Sequence, residues 1–86
     1  METMDRQLIL VAEDDPTVGE SIRLLLRKRG YAIHLSSNGK EALQFFRQSP
    51  VDLVITDLVM PKMDGIDLLA AVKGLTPETE VVVISA

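Results

Sequence analysis

Apolar residues along this chain follow two rhythms. Four short runs, "LILVA" (8–12), "YAIHLS" (31–36), "VDLVIT" (51–56) and "VVVIS" (81–85), are rich in β-branched residues and too short for helices, which predicts strands. Between them the apolar spacing lengthens to that of a helix face. Val18, Ile22, Leu25 and Leu26 fall on one side of a first helix whose other positions carry Glu20, Arg23, Arg27 and Lys28. Asp15 and Pro16 start it as an N-cap acid and a proline at the first helical position, and Gly30 after "RKR" stops it. A second helix opens at Asn38, with Glu41 placed as in a capping box, and ends before Pro50. A third follows Gly65, with Ile66, Leu69 and Ala70 expected to face inward and Gly74 near its end.

Strands and helices therefore alternate, β-α-β-α-β-α-β. Alternation of this kind predicts an α/β protein: a parallel sheet with right-handed crossovers and helices on both faces. "LILVA" and "VVVIS" are apolar at almost every position, as strands covered on both faces should be. "YAIHLS" alternates Tyr31, Ile33 and Leu35 with Ala32, His34 and Ser36, which suits an edge. The first and third strands are expected side by side in the middle, with the second outside the first. "VVVIS" has the composition of an interior strand, yet the sequence stops at Ala86, so the chain reads as a single domain cut short at its C-terminal side.

Composition narrows the function classes. With 47% apolar and 26% charged residues, the chain is globular rather than disordered. A net charge of −4 argues against direct contact with nucleic acid, which needs clustered Lys and Arg. The absence of cysteine removes disulfides and thiolate metal sites. No apolar stretch approaches the roughly eighteen residues of a membrane helix, and "METMDRQ" has no apolar run behind it, so a cytoplasmic protein is expected.

The remaining chemistry is acidic and sits at strand ends. In a parallel sheet the carboxyl ends of the strands share one side, and ligands bind where the connections diverge. The first strand runs into Glu13, Asp14 and Asp15, and the third into Asp57. If those strands are neighbours, about 5 Å apart, several carboxylates converge and raise one another's pKa unless a cation joins them. Oxygen donors without His or Cys point to a hard ion such as Mg2+. Asp15 has a simpler use as the helix cap, His34 has no second histidine to join it, and "RKR" (27–29) complements a helix dipole. Met60, Met63, Phe45 and Phe46 read as packing.

Together, "ILVAEDDPTV", "SNGKEAL", "DLVITDLVMPKMDGIDLL" and "VVVISA" resemble the receiver domain of two-component response regulators, from Leu8 to Ala86. The resemblance implies a flavodoxin-like, doubly wound sheet of order 2-1-3-4-5, here lacking the fifth strand and the last two helices. It implies that Asp57 accepts a phosphoryl group. Asp14 would bind Mg2+ directly, Glu13 (where the family more often has Asp) through water, and the backbone carbonyl of Val59 would add a further ligand. Ser85 matches the hydroxyl that hydrogen-bonds the phosphoryl group. The family's lysine has no counterpart, and Lys62 and Lys73 stand at the wrong places for it. A histidine kinase or phosphotransfer protein is the implied donor, a C-terminal output domain the implied target, and the bare fourth strand a surface for self-association. Two other classes compete. One is a receiver-fold interaction module without phosphorylation. The other is an Mg2+-dependent phosphoryl-transfer enzyme, weakened because such sites carry a second acid where this chain has Val59.

Overall fold

The structure, a computed structural model, describes residues 7–84. In chain order the elements are β1 (Leu8–Ala12), α1 (Pro16–Lys28), β2 (Ala32–Ser36), α2 (Gly39–Gln48), β3 (Leu53–Asp57), α3 (Gly65–Leu75) and β4 (Glu80–Ile84). The strands form one sheet of order β2-β1-β3-β4, and every pairing is parallel. This is the flavodoxin-like order as far as four strands carry it, with β1 and β3 adjacent as expected.

Each boundary has a local cause. Asp15 Oδ1 accepts the Thr17 and Val18 amides at 2.9 and 3.3 Å, satisfying two of the orphan N–H groups of α1. Gly30, at φ 96°, takes the left-handed turn that stops the helix. Asn38 Oδ1 caps α2 by accepting the Glu41 amide at 2.8 Å. The Glu41 carboxylate accepts the Ser37 hydroxyl at 3.1 Å. Asp64 caps α3 in the same way, accepting the Asp67 amide at 2.9 Å.

Helices α2 and α3 cover one face of the sheet, where Leu10, Ala12 and Val54 meet Leu43, Phe46, Leu68 and Val72 in the main core. A fully buried Leu or Val of this kind contributes about 1.5–3 kcal/mol. Helix α1 lies on the other face over β1 and β2. It approaches through Gly19, where a Cβ would stand 3.0 Å from Leu35 Cδ1. The expected stripe is only partly inward: Ile22 and Leu26 are half-buried, while Val18 and Leu25 are exposed. The inward face of α3 is also shifted, to Gly65, Leu68 and Val72, with Ile66 and Ala70 exposed.

Both outer strands depart from their simplest sequence reading. His34 of β2 does not face solvent: its ring stacks on Phe45 of α2, with centroids 3.7 Å apart and planes 7° from parallel. Helix α2 thus covers the more polar side of the edge strand. β4 is the outermost described strand on its side, with β3 its neighbour. Val81 packs against the main core, whereas Val82 and Ile84 are 47% and 43% exposed on the sheet face opposite that core.

Candidate functional site

The acids converge because of sheet register. β1 and β3 run parallel with Ala12 beside Thr56, so Glu13 and Asp14 emerge next to Asp57 at the carboxyl ends of neighbouring strands. One carboxylate oxygen from each of Glu13, Asp14 and Asp57 lies within 4.8 Å of the other two. They line an open cleft of about 480 Å³ together with Asp15, Val18 and Ile84. A hollow of similar volume, about 450 Å³, at the amino ends of the strands has Arg47 as its one charged lining residue. Of these two, the first gathers several titratable groups on one cleft and the second does not.

Crowding has an electrostatic signature. The Glu13 carboxyl is held above the ordinary carboxylate range, first by burial and then by the proximity of Asp57 and Asp14. The Asp15 amide, donating to Glu13 Oε2 at 3.1 Å, opposes the shift. Asp15 itself is committed to capping α1 and is not one of the converging three.

Asp57 is the last residue of β3 and pairs with Ile84 of β4. Its neighbour Leu58 donates to the Ile84 carbonyl at 2.9 Å, and Gly65 donates to the Leu58 carbonyl at 2.8 Å. Gly65 is required by space: a Cβ there would stand 2.2 Å from the Asp57 carbonyl oxygen. Between these anchors the loop exposes Val59, and among the described residues no backbone N–H donates to the Val59 carbonyl. Ser85 lies outside the described residues. Lys73 donates to the Pro77 carbonyl at 3.1 Å, ahead of the amino end of β4 and so away from the acids. Lys62 is in the acid loop, at φ 69°.

Three converging carboxylates, oxygen donors only, with the Glu13 carboxyl raised by burial and by its acidic neighbours, form a donor set that fits a hard divalent cation. Sequence reasoning located all three acids. It missed the close approach at Gly65, and the buried Thr56 whose hydroxyl donates to the Asp57 carbonyl at 2.9 Å. Nothing in a linear pattern marks either.

The family model for the response regulator receiver domain matches residues 9–86. The chain is 41% identical over 76 residues to the response regulator GtcR of Aneurinibacillus migulanus, covering 88% of this chain and 30% of that protein. It is 39% identical over 74 residues to the DNA-binding response regulator MtrA of Mycolicibacterium smegmatis, covering 86% of this chain and 32% of that protein. Among solved structures, the response regulator TrrA of Thermotoga maritima in complex with Mg2+ and BeF superposes with a TM-score of 0.90 at 31% identity. That match covers 93% of this chain and 70% of TrrA. The chain spans about a third of the length of these two curated relatives.

Proposed function

Because the chain belongs to the response regulator receiver family, we propose that it accepts a phosphoryl group on Asp57 and passes the resulting change to an output domain. The observation that carries this reading is the convergence of Glu13, Asp14 and Asp57 on one cleft at the carboxyl end of the sheet. Glu13, Asp14, Asp57 and the Val59 carbonyl would hold Mg2+. When bound, the ion supplies the positive charge that lets an anionic carboxylate approach an anionic phosphoryl group.

An Asp57 carboxylate oxygen attacks the phosphorus of a phosphohistidine. The P–N bond breaks, its electron pair returns to the imidazole nitrogen, which takes up a proton, and the phosphoryl group remains on Asp57 as an acyl phosphate. Ser85, assigned on motif alone, donates its hydroxyl to a phosphoryl oxygen and so draws the end of β4 toward the site. The added dianion biases a two-state surface that partners read.

The chain is then a cytoplasmic signalling domain, with slow self-catalysed phosphotransfer and dephosphorylation at the same site. Its donor is a histidine kinase or phosphotransfer protein, and its output lies in a C-terminal domain. With a net charge of −4, nucleic-acid contact is left to such a domain. Among the described residues no helix is long and apolar enough to cross a membrane. The uncovered edge and face of β4 supply a surface for self-association.

Incubation with labelled acetyl phosphate and Mg2+, or with a phosphorylated kinase, tests the assignment. Label should appear as a hydroxylamine-labile acyl phosphate and vanish in Asp57→Asn, whose amide is a poor nucleophile. Equal labelling of Asp57→Asn would remove Asp57 from the mechanism.

A further inference from the structure

We infer that Gly39 is a positioning residue for the acid loop: its missing side chain lets the first turn of α2 seat against the Met63 carbonyl and fixes where the loop from Asp57 onward stands. The inference rests on the proposed metal site and deepens it.

Residues 59–63 have few other holds. Among the described residues no backbone–backbone hydrogen bond ties them to another element, although Met60 is buried and Met63 packs against the core. At Gly39 a Cβ would stand 2.2 Å from the Met63 carbonyl oxygen and 2.9 Å from both the Met63 carbonyl carbon and Cβ. The hydrogen that occupies this direction in glycine points at the oxygen, the arrangement of a weak Cα–H···O contact. The backbone of Gly39 is not in the left-handed region, so glycine is needed here for space and not for conformational freedom.

Of the two partners, the helix is the fixed one. Asn38, 6% exposed, caps α2, and Ala42 and Leu43 are set into the core directly behind it. The obstructing atoms are backbone, so they cannot swing aside as a side-chain tip would. Any side chain at position 39 therefore displaces the loop, and with it the Val59 carbonyl. Gly74 supplies the control: it too is helical, and a Cβ there meets nothing within 4 Å.

The experiment is Mg2+ titration of the 86-residue chain followed by amide NMR, with denaturant unfolding in parallel, for wild type, Gly39→Ala, Gly74→Ala and the double variant. In Gly39→Ala, amides 58–64 should shift before any metal is added while those of β1 stay in place, and Mg2+ affinity should fall about tenfold or more. Gly74→Ala should bind as wild type and unfold later. The double variant should regain stability, keeping the measurement possible if Gly39→Ala alone unfolds, without regaining affinity. Unmoved loop amides, wild-type affinity in folded Gly39→Ala, or affinity that returns with stability in the double variant would overturn the inference. A wild-type chain in which Mg2+ leaves residues 13, 14 and 57 undisturbed would instead overturn the site reading, and the metal-free shifts would then decide the role of Gly39 alone.

Discussion

Glu13 is the residue on which the metal-free site is most strained. Burial and the neighbouring Asp57 and Asp14 raise its folded-state pKa above its unfolded value. Between those two pKa values the folded chain binds more protons than the unfolded one, so stability falls as pH rises through that window and stays lowered above it. Glu13→Gln should therefore stabilise the metal-free chain at neutral pH, with the advantage fading as pH drops below the carboxylate range. Mg2+ should stabilise wild type more than the variant. Urea midpoints of wild type and Glu13→Gln across a pH series with and without Mg2+ check both signs, and a metal-free difference between the two that does not grow in favour of the variant from pH 4 to 7 would contradict the argument. The acids themselves were legible in the sequence because a charge at the end of an apolar strand is conspicuous. Gly39 was legible as a glycine only, and Gly65 as a residue shaping the loop beside Asp57, without its close contact. Their purpose lies in contacts with the Met63 and Asp57 carbonyls, which exist only once the sheet has formed.

At the scale of elements, strand and helix order followed directly from the two apolar rhythms, and each boundary lies within a few residues of its sequence signal. The inward faces of α1 and α3 did not follow. α3 reads "GIDLLAAVKGL", apolar on nearly all sides, so spacing cannot choose its buried face. In the fold Gly65 stands against the Asp57 carbonyl and Gly19 against the Leu35 side chain, contacts that apolar spacing does not record. The loop between β3 and α3 carries a cost of its own. Lys62 is held at φ 69°, a left-handed conformation that costs a β-carbon residue about 1–2 kcal/mol. Lys62→Asn, or Lys62→Gly, should raise stability by up to about 1 kcal/mol, because Asn and Gly tolerate that conformation better. A shift of the denaturant midpoint at unchanged slope is the expected reading, and a lower midpoint would show that the Lys62 side chain earns its place elsewhere.

For the molecule as a whole, the sheet is unevenly covered. α2 and α3 bury one face along its length, while on the other α1 covers β1 and β2 and leaves Val82 and Ile84 in contact with water. Such surface costs about 25 cal/mol per Å² relative to burial, and the outer edge of β4 carries no Lys or Pro to discourage pairing. The 86-residue chain should therefore associate as its concentration rises. Sedimentation velocity across a concentration series is the check, with a compact monomer at the highest concentration as the contrary result. Replacing Val82 with Lys should restore the monomer.

The central position of β1 has a consequence for time as well as space. Its backbone is hydrogen-bonded to strands on both sides and buried from Ile9 to Ala12, whereas among the described strands β2 and β4 are each paired on one side, and β4 is the more exposed of the two. Amide hydrogen exchange should accordingly be slowest in β1 and fastest, among the strands, in β4. When β4 frays, Leu58 loses its acceptor at Ile84, and the loop that follows Asp57 is loosened at its root. Glu13 and Asp14 ride on the slowest-exchanging segment of the protein while the loop beside them opens and closes. The two halves of one site thus live on different clocks.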